Sequence, residues 1–499
     1  MSSVGRGVRA RGIISLFHKG GGWDKKHSRG RISGVKVAVR RLPSGFRYRL
    51  SGEASDRVYS RRDLCGTPLK LAGESWEVRL PRLFRGIHPD LHALAVYLAL
   101  RPVLGRRLVL PFGVSAACAE AFARSFGVEL PKVDGGLAPR REPERDAPGL
   151  LYSGGFDSSA ATLLLPQSTA VCHCDRIDRS REAGLFVPDI PFGNQSARRE
   201  HQCRKVRRLG RRLCRVWDDH EFLYRPYPVW HANDWMSWFS MIYLADSLGL
   251  RYIETGHVLE DMCHTGFRYD AMRSWPLCAE ALGRENLCDA EPGALDRTID
   301  LGEFRLGIFG LRKARSMAGL STVATSRIVA LGPYHGDASP CDKPFADASF
   351  VGRRGTAPSA NYCAECPRCF HKRMLVDIAL GRETRADTVS DYLEFPFIRE
   401  ELRKEFLDWH HIWVYIFQRV RCRHPLIREF QKQAQRQRDL GFLEKWHPAA
   451  RGAIPAPYRA SVEKNIRRYA QTMSPAEIEV FGKHAVAPLR TPAALGPRA

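Results

Sequence analysis

The sequence predicts an α/β fold: a doubly wound parallel sheet over residues 149–335, with an N-terminal α+β domain before it. A cysteine-bearing segment and a helical C-terminal region follow. Strand-like and helix-like segments alternate from Gly149 onward, the pattern of βαβ crossovers with helices on both faces. Apolar residues are 44% and charged residues 26% of the chain, a composition that excludes a wholly disordered, collagen-like or disulfide-dense protein. Its 499 residues suit about three domains.

Each element has its own signal. Residues 1–32 are rich in Gly, Arg and Lys and read as a flexible basic leader. From Val35 to Leu80, short alternating runs such as VKVAVRRL and FRYRLSG read as strands. Apolar spacing turns helical over Pro89–Val103. RRLVLPF at 106–112 then reads as a strand and Ser115–Phe126 as a helix, completing an N-terminal domain at 33–131. Residues 132–148, dense in Pro, Gly and charge, read as a linker. In the sheet domain GLLYS, TAVCHCD, CRVWDD and RYIETG are the expected strands. DSSAATLLL, Ser196–Leu213 and Asp234–Leu248 are the helices between them. Residues 301–331 add a helix-rich unit, 336–380 form the cysteine segment, and 381–499 are helical with aromatic residues throughout.

Lys and Arg number 78 against 54 Asp and Glu, a formal charge of +24. Such an excess attracts polyanions: nucleotides, nucleic acid or an anionic surface. No apolar run approaches the roughly 18 residues of a membrane span. Asn233–Leu250 comes nearest, and Asp234 and Asp246 interrupt it. The N-terminal apolar run Ile13–Phe17 is too short for a signal peptide. A cytoplasmic protein without membrane contact is expected, and most of the 14 cysteines then read as reduced core thiols.

The sharpest motif is Ser153-Gly154-Gly155-Phe156-Asp157-Ser158-Ser159, between an apolar strand and a helix. Two glycines let the backbone turn tightly and bring N–H groups close to an anion. A helix N-terminus favours phosphate through its unpaired amides and its dipole. Ser153, Ser158 and Ser159 add hydroxyls, and Asp157 suits a Mg²⁺ lying between carboxylate and phosphates. The plainer alternative is a Gly-Gly turn with Asp157 capping the helix. The lysine of G-x-x-x-x-G-K-S/T loops is missing.

This loop, in this context, resembles the PP-loop of the N-type ATP pyrophosphatase superfamily. The resemblance implies a doubly wound sheet of the adenine nucleotide alpha hydrolase-like kind, with ATP bound by the loop. It also implies cleavage between the α and β phosphates: a substrate oxygen is adenylated, and a nitrogen or sulfur nucleophile displaces AMP. Carried onto this chain, Ser153, Gly154, Gly155, Phe156, Asp157, Ser158 and Ser159 would hold the departing pyrophosphate, with Asp157 and Ser158 catalytic. Thr255-Gly256-His257-Val258-Leu259-Glu260-Asp261 follows the strand RYIE and is similar to a second family element. It implies Gly256 and His257 near ATP, with Asp261 catalytic and Glu260 a further candidate. Asp175, ending the strand TAVCHCD, would share that rim.

Cys363, Cys366 and Cys369 form C-x-x-C-x-x-C, and Cys341 upstream supplies a fourth thiol. Four thiolates at short spacing suit tetrahedral Zn²⁺. An iron–sulfur cluster and unliganded thiols are the alternatives. The order of motifs, with Phe370-His371-Lys372-Arg373 after the last cysteine, resembles the 7-cyano-7-deazaguanine synthases. That likeness spans roughly Gly149 to Leu380. HCDRIDRS stands where that family carries a short aromatic-Gly-Gln segment.

Ser196–Arg215 packs nine Lys/Arg with one acid. It reads as a solvated helix face or as a track for a phosphate backbone. Trp230, Trp235 and Trp238 read as core packing, with base stacking the alternative. The expected function is thus an AMP-forming ligase or synthase using ATP, Mg²⁺ and structural Zn²⁺. Its acceptor would be a carboxylate, an amide or a base oxygen, its nucleophile ammonia, free or supplied by a partner protein. Two alternatives stand beside it: thiolation or amination of an RNA base, and a non-catalytic or defence-associated nucleotide-binding protein. A homo-oligomer is a further possibility.

Overall fold

The computed structural model describes residues 34–51, 61–62, 68–71, 73–100, 106–176, 195–225, 233–262, 309–335, 367–394 and 410–483, with a few single positions between. The basic leader, Trp230, Cys341, Cys363 and Cys366 lie outside the described residues, as do the side chains of Trp235, Trp238 and Asp261. The strands are β1 (Val35–Leu42), β2 (Gly45–Ser51), β3 (Arg61–Arg62), β4 (Pro68–Leu71), β5 (Ser75–Arg79), β6 (Leu108–Val109), β7 (Ala147–Leu151), β8 (Ala170–Arg176), β9 (Leu213–Asp218), β10 (Tyr224–Arg225), β11 (Leu250–Glu254) and β12 (Arg312–Ala314). The helices that matter most are α1 (Pro89–Leu100), α2 (Ala116–Phe126), α3 (Phe156–Leu164), α4 (Gln195–Arg208), α5 (Asn233–Leu248), α6 (Leu259–Met262), α7 (Thr322–Leu331) and α8 (Pro367–Ala379). Five further α-helices, α9 (Ala386–Leu393), α10 (His410–Arg419), α11 (Pro425–Ala434), α12 (Arg459–Ile466) and α13 (Pro475–Lys483), build the expected helical C-terminal region.

Nine strands form one mixed sheet in the order β12-β11-β7-β8-β9-β5-β2-β1-β6. The expectation of an all-parallel sheet holds for β12, β11, β7, β8 and β9, whose pairings are parallel. Beyond β9 the sheet continues into strands of the expected N-terminal α+β unit, where β5 pairs antiparallel with β9, β2 with β5 and β1 with β2. The reason is connectivity: β1 and β2 are joined by a two-residue turn, which only an antiparallel pair allows. The expected 33–131 unit therefore extends the same sheet edge to edge. Of the expected 132–148 linker, residues 134–146 run in irregular backbone up to β7, pinned by the buried Arg140, which donates to Asp246 and to the carbonyls of Phe309 and Gly310.

Helices lie on both faces of the parallel half. Successive strand side chains point to opposite sides. Leu150, Val171 and Tyr252 pack with Ala160, Ala161 and Leu164 of α3. Leu151, Cys172 and Ile253 pack with Met241, Ile242 and Leu244 of α5 in a second core. Counted in chain order, the parallel strands stand 3-2-1-4-5. The order reverses between β7 and β11, and ligands in open α/β sheets sit at the carboxyl ends of the strands flanking such a reversal. Among the described residues no helix is long and apolar enough to cross a membrane.

Candidate nucleotide site

Both sequence-selected loops emerge at this reversal, Ser153–Ser159 from β7 and Thr255–Asp261 from β11. Gly154 turns the chain at φ +81°, a left-handed conformation that costs glycine nothing. Gly155 is the extended N-cap of α3 and offers no side-chain cap. Ser159 N–H already donates to Gly155 O. The first-turn amides of Phe156, Asp157 and Ser158 precede that bond and have no intrahelical acceptor. The serines shape the loop: Ser153 Oγ accepts from Gly155 N–H at 3.3 Å and meets Ser158 Oγ at 3.1 Å, while Ser158 Oγ also donates to Gly155 O at 3.2 Å.

Gly256 is where the two loops touch. A Cβ there would lie 3.0 Å from Ser158 N and 3.2 Å from Ser158 Cα. Any side chain would press on the α3 first turn, so the glycine is needed for close approach. His257 is half-buried beside it. Thr255 Oγ1 is buried with no hydrogen-bond partner among the described residues.

The sequence expectations divide here. Ser153 is exposed and Asp157 half-buried, both at the loop surface. Phe156 and Ser159 point inward: Phe156 belongs to the core, and Ser159 Oγ lies 3.5 Å from the Tyr152 hydroxyl. Glu260 is a structural carboxylate. It is buried, accepts from Thr322 N–H at 3.0 and 3.1 Å, and meets His411 Nε2 at 3.2 Å. Asp175 is buried between His173 Nε2 at 3.3 Å and Arg215 Nε at 2.8 Å. Burial alone would raise its carboxyl, but His173 and Arg215 outweigh it and hold the group down at about 2. Glu254, ending β11, accepts from Ser316 N–H and Oγ and from the Tyr458 hydroxyl, which ties the C-terminal region to this rim. Burial pushes its carboxyl up.

Three further side chains reach the loop. Thr325 Oγ1, on α7, donates to Asp157 Oδ1 at 2.5 Å. Lys372, on α8, is buried, with Nζ 3.8 Å from Asp157 Oδ1 and 3.2 Å from Ser326 Oγ. The same ammonium lies 5.0 Å from the Phe156 ring centroid. α7 packs against both α3 and α8, which brings these groups together. Lys372 stands three positions after Cys369, one helical turn on, and Cys369 is itself buried in the core. The basic run after the cysteines was the one sequence signal for Lys372; Thr325 and Ser326 carried none.

The basic helix also divides. Arg204, Arg207 and Arg208 are exposed. Arg211 is buried, and its guanidinium donates to the carbonyls of Thr162, Leu165 and Pro166 at the end of α3. It serves as a helix C-cap and is closed to phosphate.

Fold and site together define an α/β protein with an anion-ready loop at the sheet's reversal, backed by a buried lysine. A family of unknown function, DUF6395, matches residues 305–484. That stretch holds β12, α7, α8 and the five C-terminal helices α9–α13, including Thr325 and Lys372, and excludes Ser153–Ser159 and Gly256. No curated protein and no solved structure matches the chain.

Proposed function

We propose that the protein is an ATP-dependent enzyme of the PP-loop class, adenylating an acceptor oxygen and releasing pyrophosphate. A nitrogen nucleophile then displaces AMP. The observation that carries this reading is the convergence at one sheet reversal of the α3 first-turn amides, Gly256, Asp157 and Lys372. Backbone donors and a fixed cation aimed at a departing pyrophosphate lower the barrier where charge develops. The missing P-loop lysine argues against γ-phosphoryl transfer, and Lys372 supplies a cation from another direction.

Asp157 fits the role of a Mg²⁺ ligand. Oδ1 is engaged by Thr325 and Lys372, while Oδ2 makes no hydrogen bond among the described residues and the side chain is 34% exposed. A bound Mg²⁺ would offset phosphate charge. With ATP labelled at the α phosphate, the expected products are AMP and pyrophosphate. Exchange of pyrophosphate into ATP, or AMP formed with cell extract as acceptor source, reads the same step. Asp157→Ala should abolish either signal. Formation of ADP, or an undiminished Asp157→Ala enzyme, would sink the assignment.

Zn²⁺ on Cys341, Cys363, Cys366 and Cys369 belongs to the same proposal, because four thiolates are its preferred structural donor set. The purified protein should carry about one Zn²⁺ per chain, and Cys366→Ser should lose the ion together with stability. Metal-free protein of full stability would exclude it.

A further inference from the structure

Among the described residues, no helix covers one face of the sheet over β1 and β2. On the side of α3 and α4, helices cover β7, β8 and β9; beyond β9 the same face continues across β5, β2 and β1. Register sets Lys36, Ala38 and Arg40 of β1 beside Ser51, Arg49 and Arg47 of β2, and Arg49 and Arg47 beside Ser75 and Glu77 of β5. Lys36, Arg40, Arg47 and Arg49 are exposed, whereas the alternate residues Val35, Val37, Phe46, Tyr48 and Trp76 are buried on the opposite face. Arg79 stands opposite Trp217 of β9, and the Arg215 guanidinium lies 5.5 Å from the Trp217 ring centroid. Arg215 also bonds Glu200 of α4. The Arg215–Glu200 bond links this face to the helix that exposes Arg204, Arg207 and Arg208.

Not all the charges on this shelf are arranged for the fold's benefit. Arg40 sits directly opposite Arg47, and like charges so placed cost stability. Arg47 and Arg79 both bond the single carboxylate of Glu77. Lys36, Arg40 and Arg49 make no ion pair among the described residues. We propose that this shelf docks RNA, its phosphates on Lys36, Arg40, Arg47 and Arg49 and an unpaired base near the Trp217–Arg215 plate. An open sheet with an aromatic ring suits splayed bases of single strands and loops. Duplex DNA is read instead by elements that enter a groove. Trp217 is paired with Asp175 of β8, so the shelf ends on the rim that carries the nucleotide loop.

Docking is independent of the nucleotide chemistry and is measured without ATP, so each can fail alone. The test is fluorescence anisotropy of labelled tRNA with the full chain across about 50–200 mM salt. The triple variant Lys36→Glu, Arg40→Glu, Arg49→Glu should lose at least about tenfold in affinity and show a shallower salt slope. Its thermal stability should not fall, because a glutamate opposite Arg47 replaces repulsion by attraction. Arg428→Glu, Arg436→Glu, Arg468→Glu, exposed positions with the same change in charge, should stay within about twofold. Equal losses in the two variants, no tRNA binding, or binding to duplex DNA or phosphatidylglycerol vesicles as tight as to tRNA would each overturn the proposal.

Discussion

Lys372→Met is expected to weaken pyrophosphate binding by at least about tenfold and to cut AMP formation by about 10²–10³-fold, the usual cost of losing one preorganised charge-stabilising donor. The lysine is held ready: Ser326 accepts from its ammonium, Asp157 lies 3.8 Å away, and the Phe156 ring flanks it. A group fixed before phosphate arrives needs no reorganisation as charge develops. Methionine is unbranched, only one atom shorter, and keeps most of the stem's apolar contacts, so the fold should persist. Calorimetric titration of pyrophosphate into the purified chain avoids the unknown acceptor. Lys372→Arg should recover only part of the affinity, because a planar guanidinium does not fit a site shaped for a compact ammonium. Undiminished pyrophosphate binding by Lys372→Met would remove Lys372 from the site.

Arg211→Ala should destabilise the chain by about 3 kcal/mol, since three buried carbonyls would lose a charged donor. Thr162, Leu165 and Pro166 end the helix whose other end forms the Ser153–Ser159 loop. Denaturant unfolding should show a lower midpoint, and ATP-dependent activity should fall only as the folded fraction falls. The salt slope of tRNA binding should be unchanged, because this guanidinium never reaches solvent phosphate. A stable variant with a shallower slope would restore Arg211 to the basic surface beside α4.

The strand–helix alternation from Gly149 was legible because apolar period changes from 2 to 3.6 at each boundary, and the loop was legible because its glycines and serines are contiguous. Gly256 was legible through the likeness of Thr255–Asp261, after the strand RYIE, to a second family element. Lys372 and Thr325 were not found as loop residues, since they lie 168 or more positions from Asp157 in the chain and only the packing of α7 between α3 and α8 brings them near. Glu260 and Arg211 show the converse. Each looked available in sequence, and each is consumed by backbone groups that only the folded chain places beside it.

By itself the sequence determined the elements and the local residue pattern: which segments are strands or helices, which loop places two glycines before a helix, and where cysteines stand close together along the chain. Those properties depend on side-chain period and neighbouring residues. The tertiary structure alone decided the partners. It joined β5 to β9, so that the N-terminal hairpin became an extension of the main sheet, with exposed basic residues on one face of β1 and β2. It also decided which charges are spent: Arg211 inside a helix cap, Glu260 on a helix N-terminus, Lys372 at the loop. The physical reason is that a charge takes its role from its distance to other groups and to water, and those distances are set by packing across the whole chain.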